Sequence, residues 1–343
     1  MNILITGIHG FVGTNLVASL KTDHTIYGLD IVSPQKEGVL STFTWNDFDS
    51  LPLIDVIIHL AGKAHDTKNQ TNVQVYFDIN TGLTQKIYDW FLVSEASKFI
   101  FFSSVKAAAD RVEGEILTEE IVPNPKGPYG ESKIAAENYI LSKEVRGKRH
   151  EASIENQESR VEKQESGEDG ELSTLNSQLS TEKKTYILRP CMIHGPGNKG
   201  NLNLLYNVVK KGIPYPLGAF ENRRSFTSID NLSFIISELI DKNILSGIYN
   251  VGDDESLSTN ELISLMAKTM NKPSRIWKWN KSIVELCARI GKILHLPLNT
   301  ERLQKLTENY VVSNAKLKKA LGIEKMPVTA EDGFRKTIES FSK

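Results

Sequence analysis

Three side chains of this 343-residue chain have the types and spacing for proton transfer: Tyr129 and Lys133, within Tyr129-Gly130-Glu131-Ser132-Lys133, and Ser104, which ends the apolar run Phe99-Ile100-Phe101-Phe102-Ser103. Residues four apart share a helix face. A tyrosine with its ordinary pKa of about 10 is a poor base at neutral pH, and an ammonium one turn away favours the phenolate. Lys133 is also placed to bind the ribose hydroxyls of a nucleotide. Ser104, preferred here over Ser103, is placed to hydrogen-bond the substrate oxygen that gains or loses the proton. A Tyr-x-x-x-Lys pair alone is common on exposed helices; its position after a strand ending in serines gives it weight.

A second constellation stands at the N-terminus. Gly7, Gly10 and Gly13, in Gly7-Ile8-His9-Gly10-Phe11-Val12-Gly13, follow the strand-like Asn2-Ile3-Leu4-Ile5-Thr6 and open a helix at Phe11 and Val12. Glycines at this spacing allow a tight turn and close backbone approach to a pyrophosphate, and the helix N-terminus aims free amides at the phosphates. Asp30 ends the next apolar run, where a carboxylate accepts hydrogen bonds from an adenosine ribose and repels a 2'-phosphate, favouring NAD over NADP. The small Leu60-Ala61-Gly62 segment ends a further strand and lets a cofactor lie along the backbone. His59, just before it, reads as a structural histidine. A dinucleotide beside a proton-transfer pair implies hydride chemistry.

Elements that position these residues follow from periodicity. Strand-like runs at 2–6, 25–30, 54–60, 98–103, 185–189 and 248–251 alternate with helical patterns at 11–21, 76–95 and 130–143. This predicts an α/β fold, a Rossmann-like doubly wound parallel sheet with a smaller C-terminal substrate-binding lobe. The NAD-binding domain is assigned to 1–189, with 226–252 returning to it, and the lobe to 190–225 and 253–343. Residues 144–184, dense in Glu, Ser, Gln and Lys and without aromatics until the strand resumes, read as a polar, flexible insertion. Ile283, Leu286, Ile290 and Ile293 read as one apolar helix face packed on the lobe rather than as membrane contact.

Composition excludes several function classes. Lys plus Arg number 41 and Asp plus Glu 42, which gives no reason to expect a nucleic-acid or membrane partner. The two cysteines, Cys191 and Cys287, lack metal-ligand spacing, so buried inert thiols are expected and no metal site. A strand beginning at residue 2 leaves no signal peptide, so a cytoplasmic location is expected.

With these residues in place, the chain resembles the extended short-chain dehydrogenase/reductases, specifically the NAD-dependent epimerase/dehydratase family acting on nucleotide sugars. The resemblance covers nearly the whole chain except 144–184. It implies a catalytic set of Ser104, Tyr129 and Lys133, and NAD binding by Gly7, Gly10, Gly13 and Asp30. Asn80, in Phe77-Asp78-Ile79-Asn80, matches the family asparagine that orders the helix beneath the site, and is grouped with the cofactor-binding residues. Asn201-Leu202 resembles the pair that binds substrate, and Arg224, in Arg223-Arg224-Ser225-Phe226, the arginine that pairs with the diphosphate. Arg302 is a second arginine candidate. Leu188-Arg189-Pro190 and His194-Gly195-Pro196-Gly197 resemble the segment leading into the sugar pocket, with His194 replacing the usual tyrosine. A homodimer through helices near 77–94 and 129–143 is also implied.

Departures from the pattern narrow the reaction. Ser104-Val105-Lys106 stands where the family's 4,6-dehydratases carry Thr-Asp-Glu, so dehydration is not expected, and Lys106 is positioned to touch substrate or cofactor. The expectation is an NAD-dependent oxidoreductase acting at C4 of a UDP-hexose or UDP-N-acetylhexosamine, foremost a 4-epimerase serving bacterial surface polysaccharide. A one-way reductase of a UDP-4-keto-6-deoxy-N-acetylhexosamine is the alternative. A non-catalytic NAD-binding sensor or scaffold is the reading from a different class.

Overall fold

The computed structural model describes residues 1–63, 72–165, 183–198, 200–293 and 299–342; the side chains of 147–165, 201, 291–293, 301, 302 and 305 lie outside that description. Seven parallel strands form one sheet: β1 (Asn2–Thr6), β2 (Thr25–Asp30), β3 (Ser41–Thr44), β4 (Val56–His59), β5 (Lys98–Phe102), β6 (Lys184–Pro190) and β9 (Gly247–Val251). Their spatial order is β3-β2-β1-β4-β5-β6-β9, and every pair is parallel. The order reverses beside β1, which opens a crevice at the strands' carboxyl ends. A separate parallel pair joins β7 (Met192–His194) to β8 (Phe226–Ser228).

The strands' alternation builds two cores. Ile3, Ile5, Val56, Ile58, Ile100, Tyr186 and Leu188 face one side, under α1 (Phe11–Leu20) and α7 (Ile229–Asp241). Their neighbours Leu4, Ile57, Phe99, Phe101 and Ile187 face the other. That side is covered by α3 (Leu83–Val93) and α5 (Pro128–Glu165), through Ile87, Tyr88, Phe91, Ala136 and Ile140. Successive strand residues point to opposite faces, so apolar residues at every position demand helices on both sides.

The helix expected at 76–95 runs from α2 (Val73–Tyr76) through a π turn at Phe77–Gly82 into α3. Residues 144–165, assigned above to a flexible insertion, continue α5 as helix to Glu165, well past the helical pattern expected at 130–143. The Glu, Lys, Gln and Arg that read as a solvated connection are also good helix formers. Residues 166–182 of that insertion lie outside the described residues.

The remaining short helix of the sheet domain is α4 (Val105–Ala108). Beyond β7 come α6 (Asn201–Lys210), α8 (Thr259–Thr269), α9 (Lys281–Ile293), α10 (Thr300–Thr307), α11 (Ala315–Leu321) and α12 (Ala330–Ser340). Leu202, Tyr206, Leu262, Met266 and Phe334 form a third core between α6, α8 and α12. Two cysteines behave differently: Cys191 is buried as expected, but Cys287 is exposed on α9. No described helix is long and apolar enough to cross a membrane, and no group of His, Cys, Asp and Glu among the described residues could hold a metal ion.

Candidate active site

One cavity of about 580 Å³ opens at the carboxyl ends of the strands. Gly7, Gly10, Phe11, Val12, Gly13, Leu60 and Gly62 form one wall; Ser104, Lys106, Tyr129 and Lys133 border the middle; Met192, Arg224, Glu308 and Tyr310 close the far side. The glycine turn is built for backbone approach. Gly7 has a left-handed φ of +68°, and a Cβ on Gly13 would stand 2.7 Å from the Ile8 oxygen and 2.8 Å from that of Gly7. The α1 N-terminus has Gly10 as its cap, with no side-chain cap hydrogen bond, so its first amides face the cavity rim uncapped.

Asp30 stands at the end of β2, outside the cavity lining. Its carboxylate accepts from the His9 backbone N–H at 3.0 Å and from Ile31 N at 2.8 Å, and lies 3.1 Å from His9 Nδ1. Behind the glycine wall runs a polar chain. The Ala61 N–H donates to Thr6 Oγ1 at 3.0 Å, and Thr6 Oγ1 lies 2.7 Å from His59 Nδ1. His59 Nε2 lies 2.9 Å from Thr84 Oγ1, which donates to the Asn80 carbonyl at 2.7 Å. Burial and the nearby Lys133 charge hold His59 down to about 3, so it is a neutral structural histidine.

Asn80, on the π turn, is fully buried behind Gly62 rather than in the cavity. Its Oδ1 accepts from Lys63 N at 2.7 Å, and its Nδ2 donates to Ser132 Oγ at 2.9 Å. Asn80, grouped by sequence with the cofactor-binding residues, does not line the cavity; its amide ties the 60–63 segment to α5. π turns inside helices often mark functional sites because they re-aim one side chain.

Ser104 caps α4, accepting from Lys106 N at 3.2 Å. Gly130 lets α4 close on α5, since a Cβ there would lie 2.5 Å from the Lys106 carbonyl oxygen. That approach brings Ser104 to Tyr129: their side chains are hydrogen-bonded, which lowers the phenol's pKa against the larger rise from burial. Lys133, one turn on, is buried and donates from Nζ to the Phe102 carbonyl at 2.8 Å. Burial brings its pKa down to about 8, and Glu137 opposes that fall.

Glu137 is a component that the motif search missed. It is fully buried one further turn along α5, paired with Arg189 of β6 at 2.6 Å, and it accepts the Ser103 hydroxyl. The signal was present in the sequence, as a carboxylate four residues after Lys133 and an arginine amid the apolar β6. Tyr310 and Glu308 had no local signal. A single backbone bridge between Arg224 and Tyr310 brings them to the cavity. The Tyr310 hydroxyl donates to the Ala109 carbonyl at 2.7 Å, and Glu308 lies 3.8 Å from both Arg224 and Arg111.

Other sequence-assigned residues divide. Arg224 and Lys106 line the cavity. Lys106 Nζ is taken up by Asp110, at 3.2 Å from its carboxylate, and lies over the Tyr310 ring. The Leu202 side chain is not available to substrate: it is 3% exposed, in the core with Phe226 and Phe334. An aliphatic side chain on the first turn of the amphipathic α6 gains more from the core than from a polar ligand. His194 likewise turns inward, stacked on Phe334 with 3.8 Å between ring centroids. The side chains of Asn201 and Arg302 lie outside the described residues.

A family model for the NAD dependent epimerase/dehydratase family matches residues 3–147, spanning the glycine turn, Ser104, Tyr129 and Lys133. Two curated relatives extend the likeness beyond that region. A UDP-glucose 4-epimerase of Vibrio cholerae is 29% identical over 99% of this chain and 95% of its own. The N-acetyl-alpha-D-glucosaminyl-diphospho-ditrans,octacis-undecaprenol 4-epimerase of Escherichia coli O157:H7 is 25% identical over 79% of this chain and 73% of its own. Among solved structures, a UDP-glucuronic acid 4-epimerase from Bacillus cereus in complex with NAD superposes with a TM-score of 0.66 at 18% identity, covering 100% of this chain and 99% of that one. At that identity the superposition establishes the fold alone: the chain has the Rossmann-like architecture expected from its sequence.

Proposed function

We propose that this chain is an NAD-dependent 4-epimerase of a UDP-hexose or UDP-N-acetylhexosamine. The observation that carries the reading is that one cavity joins the Ser104–Tyr129 hydrogen bond and buried Lys133 to the glycine turn on one side and Arg224 on the other. The glycine wall fits a dinucleotide: Gly7 makes the tight turn at a left-handed φ, Gly13 lets α1 pack against that turn where a Cβ would clash, and Gly10 between them leaves backbone open to a pyrophosphate. Gly7, Gly10, Gly13, Phe11 and Val12 would hold that group, with Asp30 at the ribose and Leu60, Ala61 and Gly62 beneath it. Bound NAD would supply the acceptor and donor of the C4 hydride.

In this reading Tyr129 removes the C4 hydroxyl proton and returns it after the 4-keto sugar has turned over, and Ser104 holds the same oxygen. Lys133, as ammonium, binds ribose hydroxyls and favours the phenolate. Arg224 clamps the substrate diphosphate with planar donors, which requires it to exchange its distant Glu308 partner for phosphate oxygens. The names of the V. cholerae and E. coli relatives support C4 inversion on a sugar diphosphate. A role in surface polysaccharide synthesis and a homodimer remain part of the proposal. The deciding experiment is proton NMR of the purified protein with UDP-glucose or UDP-N-acetylglucosamine and catalytic NAD. The galacto anomeric signal is the expected result. Unchanged spectra from a folded, NAD-binding protein would overturn epimerisation of these sugars, and turnover of a 4-keto sugar with NADH would then assign the one-way reductase.

A further inference from the structure

The apolar face of α9 is turned outward. Ile283, Leu286 and Ile290, at helical spacing, are 56%, 57% and 45% exposed, and Trp277 and Trp279 just before the helix are 50% and 47% exposed. This reverses the packed face expected from the sequence. The side that packs carries the smaller Val284 and Ala288, against Leu217 and Leu303. The two indoles stack on each other with centroids 6.4 Å apart. Large exposed apolar side chains grouped on one helix mark an interaction surface.

Charge identifies the partner. Between Lys272 and Ile293 the sequence has six cations, Lys272, Arg275, Lys278, Lys281, Arg289 and Lys292, against the single carboxylate of Glu285, in a chain whose overall net charge is −1. A second copy of the chain meeting this patch across a two-fold axis would set the same positive excess against itself. A 13-residue helix is too short to span a bilayer. A Trp pair leading into a helix with an exposed aliphatic face, in a segment rich in basic residues, suits the interface of an anionic bilayer.

We propose that α9 and the Trp277–Trp279 segment form an interfacial anchor that docks the substrate lobe on an anionic phospholipid surface. The anchor is joined directly to the cavity wall. Trp277 N donates to the Tyr215 carbonyl at 2.8 Å and Gly218 N to the Trp277 carbonyl at 3.0 Å, on the segment leading to Arg224. On its other side α9 packs against α10, which leads into Glu308 and Tyr310. Docking would therefore act on elements that continue into the cavity wall. This inference does not depend on the 4-epimerase reading.

The test is flotation of the full-length protein with vesicles of pure phosphatidylcholine and of phosphatidylcholine with about 30% phosphatidylglycerol, an anionic content chosen to give a negative surface potential. The protein is expected to float with the anionic vesicles only, and to be released at high salt. Ile283→Glu/Leu286→Glu should cut binding at least about tenfold by removing apolar contact, with an unchanged Tm because both positions are exposed. Lys278→Glu/Lys281→Glu should weaken it about fivefold or more per position. Absence of flotation at low salt, or equal flotation of both double variants, would overturn the proposal. So would a concentration-dependent dimer, abolished by Ile283→Glu/Leu286→Glu and indifferent to vesicles, which would make the face a contact between copies.

Discussion

Glu137→Gln tests how the buried charges beneath the cavity act together. Glu137 is fully buried and Arg189 nearly so; the pair shares hydrogen bonds of 2.6, 3.0 and 3.2 Å, and Ser103 donates to the same carboxylate. Removing one member of such a pair leaves the other charge uncompensated, a loss of about 3–5 kcal/mol. At about 2 °C per kcal/mol, the low end for domains of 150–250 residues, Tm should fall by roughly 6–10 °C. A second effect separates this role from packing alone. Glu137 holds the Lys133 pKa up against burial, at about 8. Without it the pKa falls further, so Lys133 loses its proton at lower pH, and the alkaline limb of the activity profile should move in the acid direction. The assays are thermal unfolding and kcat/KM across pH 6–10. A Tm within about 2 °C of wild type, a difference of about 1 kcal/mol, together with a superimposable profile, would refute the reasoning; lower stability with an unmoved alkaline limb would leave Glu137 as structural only.

Tyr129→Phe should lose about 100- to 10,000-fold in kcat while retaining NAD affinity by calorimetry, as expected for removal of a general acid/base; full activity would exclude the tyrosine. Gly13→Ala should abolish NAD binding or cost about 1–3 kcal/mol of stability, because its Cβ meets backbone oxygens that cannot turn aside; calorimetry and thermal melts distinguish the two. Lys133→Met should be inactive yet more stable than wild type at pH 7, by up to about 2–3 kcal/mol, because it removes a charge disfavoured by burial. Between pH 8 and 10.5 the unfolded wild-type chain binds the Lys133 proton more than the folded one does, so wild-type stability rises there and the gap should close. Leu202→Ala should lower Tm through a core loss of about 2–5 kcal/mol with little change in KM; a selective KM effect would restore Leu202 to the substrate site.

What the sequence made legible is chemistry carried by short spacing. The glycine turn, Tyr129 with Lys133, and Ser104 at the end of β5 each sit where one strand or one helical turn puts them, and the cavity joins them. Residues delivered by long-range contact had no such trace: Tyr310 and Glu308 enter through a bridge to Arg224. Leu202 and His194 illustrate a different limit, because a motif matched residue by residue does not say which way a side chain turns. Asn80 took its true position from a π turn that apolar periodicity cannot distinguish from ordinary helix. For α9 the apolar stripe was visible, but its direction was not. Val284 and Ala288 reach the lobe because smaller side chains allow closer packing, which turns the larger ones outward.

The central claim, that one cavity removes and restores hydrogen at C4, is tested most directly with UDP-glucose carrying deuterium at C4, incubated with the protein and catalytic NAD. Mass spectrometry of the UDP-galactose formed should find the deuterium retained at C4, as removal and return within one closed site requires. Product with its deuterium exchanged into water, or no product from a protein that binds both NAD and the UDP-sugar, would contradict the account.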